Sequence, residues 1–118
     1  MEGKIKIKLK RAYQDADPSD SVRILVERLW PRGVTKAAAA IDHWFKDLAP
    51  SPELRKWFAH RPERWSEFQK RYWAELTENP QRVADLRAIC LKGPVTFVFA
   101  ARDTARNGAV VLKKYLES

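Results

Sequence analysis

The chain has 118 residues, 45% hydrophobic and 32% charged, which suits one globular domain, 1–118, and leaves no room for two. No apolar run reaches membrane-spanning length and the first residues lack a secretory signal's apolar block. A soluble cytoplasmic protein that meets no membrane is therefore expected. A lone cysteine, Cys90, excludes an internal disulfide and a cysteine-rich metal site, while the net charge of +8 raises the question of nucleic acid.

Residues 1–11 hold five Lys/Arg against one Glu, half of the whole positive excess. They alternate strictly, predicting a strand from about Lys4 to Tyr13 with Ile5, Ile7 and Leu9 on one face and Lys4, Lys6, Lys8 and Lys10 on the other. A wet lysine face on an edge strand deters edge pairing; the alternative is that it meets phosphate. "QDADPSDS" reads as a surface loop. Val22 to about Leu29 is a nearly continuous apolar run, a strand covered on both faces, and Pro31 and Gly33 break it.

Thr35 can cap a helix entering "KAAAA". Ile41, Trp44, Phe45 and Leu48 then fall at helical spacing, although "IDHWFK" also alternates. In "LAPSPELRKWF", Ser51 caps, Pro52 takes the first helical position, and Leu54, Trp57 and Phe58 form the buried stripe. Pro62 opens a helix carrying Trp65, Phe68, Tyr72 and Leu76 inward. Asn79-Pro80 divides it from another, with Val83, Leu86 and Ile89. Gly93-Pro94 is a turn, Val95 to Ala101 the most buried strand, and Asp103 a cap for a final helix with Val111, Leu112, Tyr115 and Leu116. This order predicts a small single-domain α/β layered fold. It has about three strands, mostly parallel, with helices between the second and third and a C-terminal helix; the first strand is either parallel or a hairpin partner.

Ligands of open α/β sheets bind beyond the carboxyl ends of the strands. There the chain places Arg11 and Tyr13, then Glu27, Arg28, Trp30 and Arg32, then Arg102, Asp103 and Asn107. Guanidinium forks suit phosphate and carboxylate, a helix N-terminus adds N–H groups, and Trp30 or Tyr13 can pack on a planar ligand. The competing reading is a structural network in which Glu27, Asp42 and Asp103 neutralise those arginines. Asp103, Glu27 and His60, the last at a helix junction, are the candidate acid–base groups. Neither glycine-rich phosphate motif occurs. With two histidines and one cysteine, no metal and no cofactor are implied. Cys90, set among Leu86, Ile89 and Leu91, reads as core.

The blocks "RILVERLWPRGVTK", "DHWFKDLAPSPELRKWFAHRPERWSEFQKRY" and "VTFVFAARDTARNGAVVL" resemble the YeaO-like family, domain of unknown function 488, across about Val22 to Leu116. The resemblance implies a small bacterial cytoplasmic α/β protein and assigns no chemistry. Arg28, Arg32, Asp103 and Asn107 coincide with matched positions. Glu27 stands where relatives usually have Asp, Arg106 where a His is usual, and Gly108 where His, Asn or Gln is common. Some wider relatives resemble enzymes bearing a cysteine after the last strand, where this chain has Ala100-Ala101-Arg102-Asp103 and no thiol.

Three functions follow as expectations. The first is a module binding an anionic small molecule through Arg28, Arg32 and Arg102. The second is an enzyme using Asp103 or Glu27 with arginine charge stabilisation. The third is a nucleic-acid or protein interaction domain using the lysine strand with Lys56, Arg64, Lys70 and Arg71.

Overall fold

A computed structural model describes residues 5–118. Four parallel strands, β1 (Ile7–Arg11), β2 (Val22–Leu25), β3 (His43–Trp44) and β4 (Val95–Phe99), form one sheet in the order β1-β4-β2-β3. β4 is buried throughout, as its unbroken apolar run requires of a central parallel strand. Around the sheet lie α1 (Lys36–Ala39), α2 (Pro52–Phe58), α3 (Trp65–Thr77), α4 (Pro80–Lys92) and α5 (Gly108–Glu117). No helix among the described residues is long and apolar enough to cross a membrane.

The two faces of the sheet are covered unequally. Ile24, Val26, Phe97 and Phe99 share one core cluster with the inward stripes of α2, α3, α4 and α5. Phe97 and Leu112 are fully buried, and each such side chain contributes about 1.5–3 kcal/mol by leaving water. On the opposite face Leu25 and Val98 form a smaller apolar cluster with Ala12, Trp30 and Ile41. Trp30 Nε1 donates to the Val34 carbonyl at 2.7 Å, and its ring meets Trp44 edge-on.

That second face also carries a buried ion-pair cluster. The register sets Lys8, Thr96 and Arg23 side by side on β1, β4 and β2. Beneath them, the 3-10 turn Pro18–Asp20 brings in Asp20, 1% exposed. Its carboxylate meets Lys8 at 2.9 Å, Lys10 at 3.1 Å and Arg23 at 2.6 Å, and its backbone carbonyl accepts from Thr96 Oγ1 at 2.7 Å. Two of the lysines expected to stand in water therefore hold an internal carboxylate. Lys4, where the predicted strand begins, lies outside the described residues.

Several local signals act as predicted. Thr35 and Ser51 side chains cap α1 and α2, accepting the N–H groups of Ala38 and Leu54 at 3.0 and 3.1 Å. Prolines open the Pro62–Arg64 turn leading into α3, and α4. Three expectations are corrected. The segment Ile41–Leu48 is not a helix but β3 followed by a 3-10 turn at Lys46–Leu48. The Asp42 and Phe45 N–H groups donate to the Arg23 and Leu25 carbonyls, both at 2.9 Å, so the free edge of β2 captures the alternating pattern. The sheet thus has four strands, all parallel, and β4 lies between β1 and β2, which excludes a hairpin between them. Finally, Asn107 rather than Asp103 caps the last helix, its Oδ1 accepting from Val110 N at 3.1 Å.

Candidate functional site

A cleft of about 390 Å³ opens beyond the carboxyl ends of β2 and β4. Its walls are Val26 and Glu27 after β2, the segment around α2 that carries Arg55, Lys56, Phe58 and His60, and the β4–α5 loop with Ala100, Arg106 and Asn107. Phe68 reaches in from α3 and stacks on Phe58, with ring centroids 4.4 Å apart. The volume lies within the range of about 300–1,000 Å³ common to small-molecule pockets.

Glu27 owes its place to the end of the sheet. The Val26 N–H still reaches the Val98 carbonyl at 3.1 Å. Next, the Ala100 N–H donates to Glu27 Oε2 at 2.9 Å, so a side chain supplies the acceptor as the backbone ladder runs out. Burial pushes the Glu27 carboxyl above its ordinary value of 4.5, against the opposing pull of the Ala100 N–H and of the Arg55 and His60 charges.

The α2 wall is held from below. Arg28 Nη2 donates to the Ala49 carbonyl at 2.9 Å and Nε to Pro50 at 3.2 Å. Tyr72 donates its hydroxyl to Leu48 at 2.5 Å, and Glu75 accepts from Ser51 N and Oγ at 2.9 and 2.6 Å. At the far end of α2, Ala59 and His60 both adopt left-handed backbone, φ 47° and 56°. Two consecutive residues in that conformation, neither of them glycine, turn the chain sharply at the cleft lip, and such strain clusters at functional positions.

The opposite wall is organised by Asp103. Its Oδ1 accepts from Ala105 N at 2.9 Å and Arg106 N at 3.0 Å, and Oδ2 faces Arg106 Nη1 at 3.3 Å. The Ala105 N–H, helped by the Arg106 N–H and guanidinium, lowers this carboxyl's pKa. Asn107 Nδ2 donates to the Asp103 carbonyl at 2.9 Å. Gly108 then passes close to Pro50: a Cβ at this position would stand 3.2 Å from the proline ring.

Of the residues singled out from the sequence, Glu27, His60 and Asn107 line the cleft; Arg28, Arg32, Arg102, Asp103, Trp30 and Tyr13 do not. Arg28 braces the loop before α2. Arg11 braces the loop after β4, donating to Ala101 and Ala100 carbonyls at 2.9 and 3.3 Å, with Tyr13 beneath its guanidinium. Arg32 and Arg102 are exposed. Of the cleft's two cations on α2, Arg55 went unmarked in the sequence and Lys56 was marked only for a nucleic-acid or protein interaction face. On a short amphipathic helix they read as solvated positions, and only the docking of α2 over the strand ends gives them a cavity. Cys90 is buried, its thiol pushed up to about 11 by burial. Among the described residues no three His, Cys, Asp or Glu side chains gather as metal ligands.

The chain matches over residues 6–118 a family model described as the inactive DUF488-N3 subclade. It is 43% identical over 111 residues to uncharacterized protein Rv3073c of Mycobacterium tuberculosis, covering 94% of this chain and 93% of that one. It is also 43% identical over 112 residues to uncharacterized protein YeaO of Escherichia coli K12, covering 95% and 97%. No solved structure matches.

Proposed function

The chain belongs to the DUF488 family, and from that premise we propose that it is a binding module whose cleft takes an anionic small molecule bearing a phosphate or carboxylate. The observation that carries this reading is the set of cations in the cleft. Arg55 and Lys56 come from α2 and Arg106 from the β4–α5 loop. Of these three cations only Arg106 has an ion-pair partner among the described residues, Asp103. The first turn of α5 reaches the cleft at Gly108, where free N–H groups favour negative charge. A subclade described as inactive fits retention of a ligand site without turnover, in a protein of the cytoplasm.

Thermal shift with nucleotides, phosphorylated metabolites and dicarboxylates tests it. A ligand at 100 times its Kd adds about 2.7 kcal/mol to stability, a shift of several degrees that added salt reduces. Arg55→Gln and Lys56→Gln should each weaken it. The absence of any shift across the panel would refute the reading.

A second reading has one observation in its favour. Glu27, raised by burial and facing the His60 charge, has the environment of a general acid or base. Hydrolysis of an activated ester or phosphoester that disappears in Glu27→Gln would support it; unchanged background rates would exclude it for those substrates.

A further inference from the structure

We infer that the cleft selects an amine-bearing anion, its cationic nitrogen paired with the Glu27 carboxylate and its carboxylate or phosphate with Arg55, Lys56 or Arg106. This rests on the anion-binding reading and adds the cation. The argument begins with what Glu27 lacks. Its hydrogen bond is the one from Ala100 N at 2.9 Å, and a carboxylate offers about four acceptor positions. Among the described residues no Lys, Arg or His nitrogen comes within 4.0 Å of it.

A part-buried carboxylate with no cation is unfavourable, yet candidate partners share its cleft. Arg55 and His60 act on it only at longer range. Arg55 and Lys56 form no ion pair of their own among the described residues, and Arg106 turns to Asp103. Acid and base thus line one cavity without closing on each other. A ligand of one sign satisfies half of it and leaves the other half desolvated; a dipolar ligand satisfies both. The stacked Phe58 and Phe68 rings give the remaining wall an apolar character suited to a hydrocarbon body.

Isothermal titration near neutral pH decides the matter with matched probes. One set is L-phenylalanine, 3-phenylpropanoate and 2-phenylethylamine; the other is phosphoethanolamine and ethyl phosphate. In at least one set the amine-bearing anion should bind about tenfold or more tightly than its amine-free counterpart. Glu27→Gln keeps an oxygen for the Ala100 N–H and should erase that preference, with the amine-free anion binding at least as tightly as to the unaltered protein because a like charge has left the cleft. Amine-free anions that bind as tightly as their amine-bearing partners overturn this inference alone, as does a preference that survives Glu27→Gln. Failure of every anion to bind overturns it together with the anion-binding reading.

Discussion

Replacing Asp20 with asparagine tests the claim that the polar face of the sheet is held by one buried carboxylate. The side chain is fully buried and meets Lys8, Lys10 and Arg23 within 3.1 Å. Arg23 is itself 3% exposed, and its Nη2 already lacks a hydrogen-bond partner among the described residues. Asparagine preserves the shape and removes the charge, leaving a buried guanidinium without its counterion. Breaking a buried pair in this way costs about 3–5 kcal/mol, a large share of the roughly 5–15 kcal/mol that holds a domain together. At this chain length about 3–5 °C of Tm accompanies each kcal/mol, so a fall of roughly 10–20 °C is expected by circular dichroism. Acid supplies an internal control. Burial alone would raise the Asp20 carboxyl, but hydrogen bonds from Lys8, Asp17 N–H, Lys10 and Arg23 outweigh it and hold the group well below its ordinary 3.8. A depressed folded value contributes stability that is fully present above the unfolded value and lost as pH falls below it. The gap between wild type and Asp20→Asn should therefore narrow below about pH 4. Adding Arg23→Met should recover part of the loss. A Tm drop under about 3 °C at neutral pH, or a gap independent of pH, refutes the assignment.

Three further outcomes follow from the cleft and its supports. Glu27→Gln should raise Tm at neutral pH, because a carboxyl raised above its ordinary 4.5 destabilises the fold once pH climbs through that value; the gain should vanish in melts below about pH 4.5. Ala59→Gly should stabilise by about 0.5–1 kcal/mol in urea unfolding, since glycine carries no penalty in the left-handed conformation found there. Arg28→Ala should lower the urea midpoint by an amount equivalent to about 1.5–3 kcal/mol with an unchanged m value, because the Ala49 and Pro50 carbonyls lose their charged donor.

What was legible in the sequence was local. Ser51-Pro52, Thr35 and Pro80 carry their instructions within a few residues, and each opens a helix as read. The apolar runs of β2 and β4 named the centre of the sheet, and placing Glu27 and Asn107 at strand ends put them in the cleft. What was hidden depends on partners far along the chain. His43-Trp44 is a strand because the β2 edge stands open beside it. Asp20 sits in an acidic, polar loop, and nothing nearby indicates that three cations from two strands enclose it. Arg28 stands on the strand end as expected, but its side chain reaches the loop before α2, a direction that residue type does not encode.

The two ends of the sheet treat the same chemistry in opposite ways. Near the amino ends of the strands, the charges of Lys8, Lys10 and Arg23 converge on the buried Asp20 carboxylate at contact distance. Beyond the carboxyl ends, the loops are braced by Arg11 and Arg28, each bound to backbone carbonyls, so that other cations need not serve the fold. Among the described residues Arg55 and Lys56 are thereby left without an ion-pair partner, and Glu27, which shares their cleft, is left without a counterion. A chain that builds a tight internal ion-pair cluster at one end and leaves both signs of charge unpaired at the other distinguishes structural from available charge. On the anion-binding proposal, the available set is the one a ligand completes.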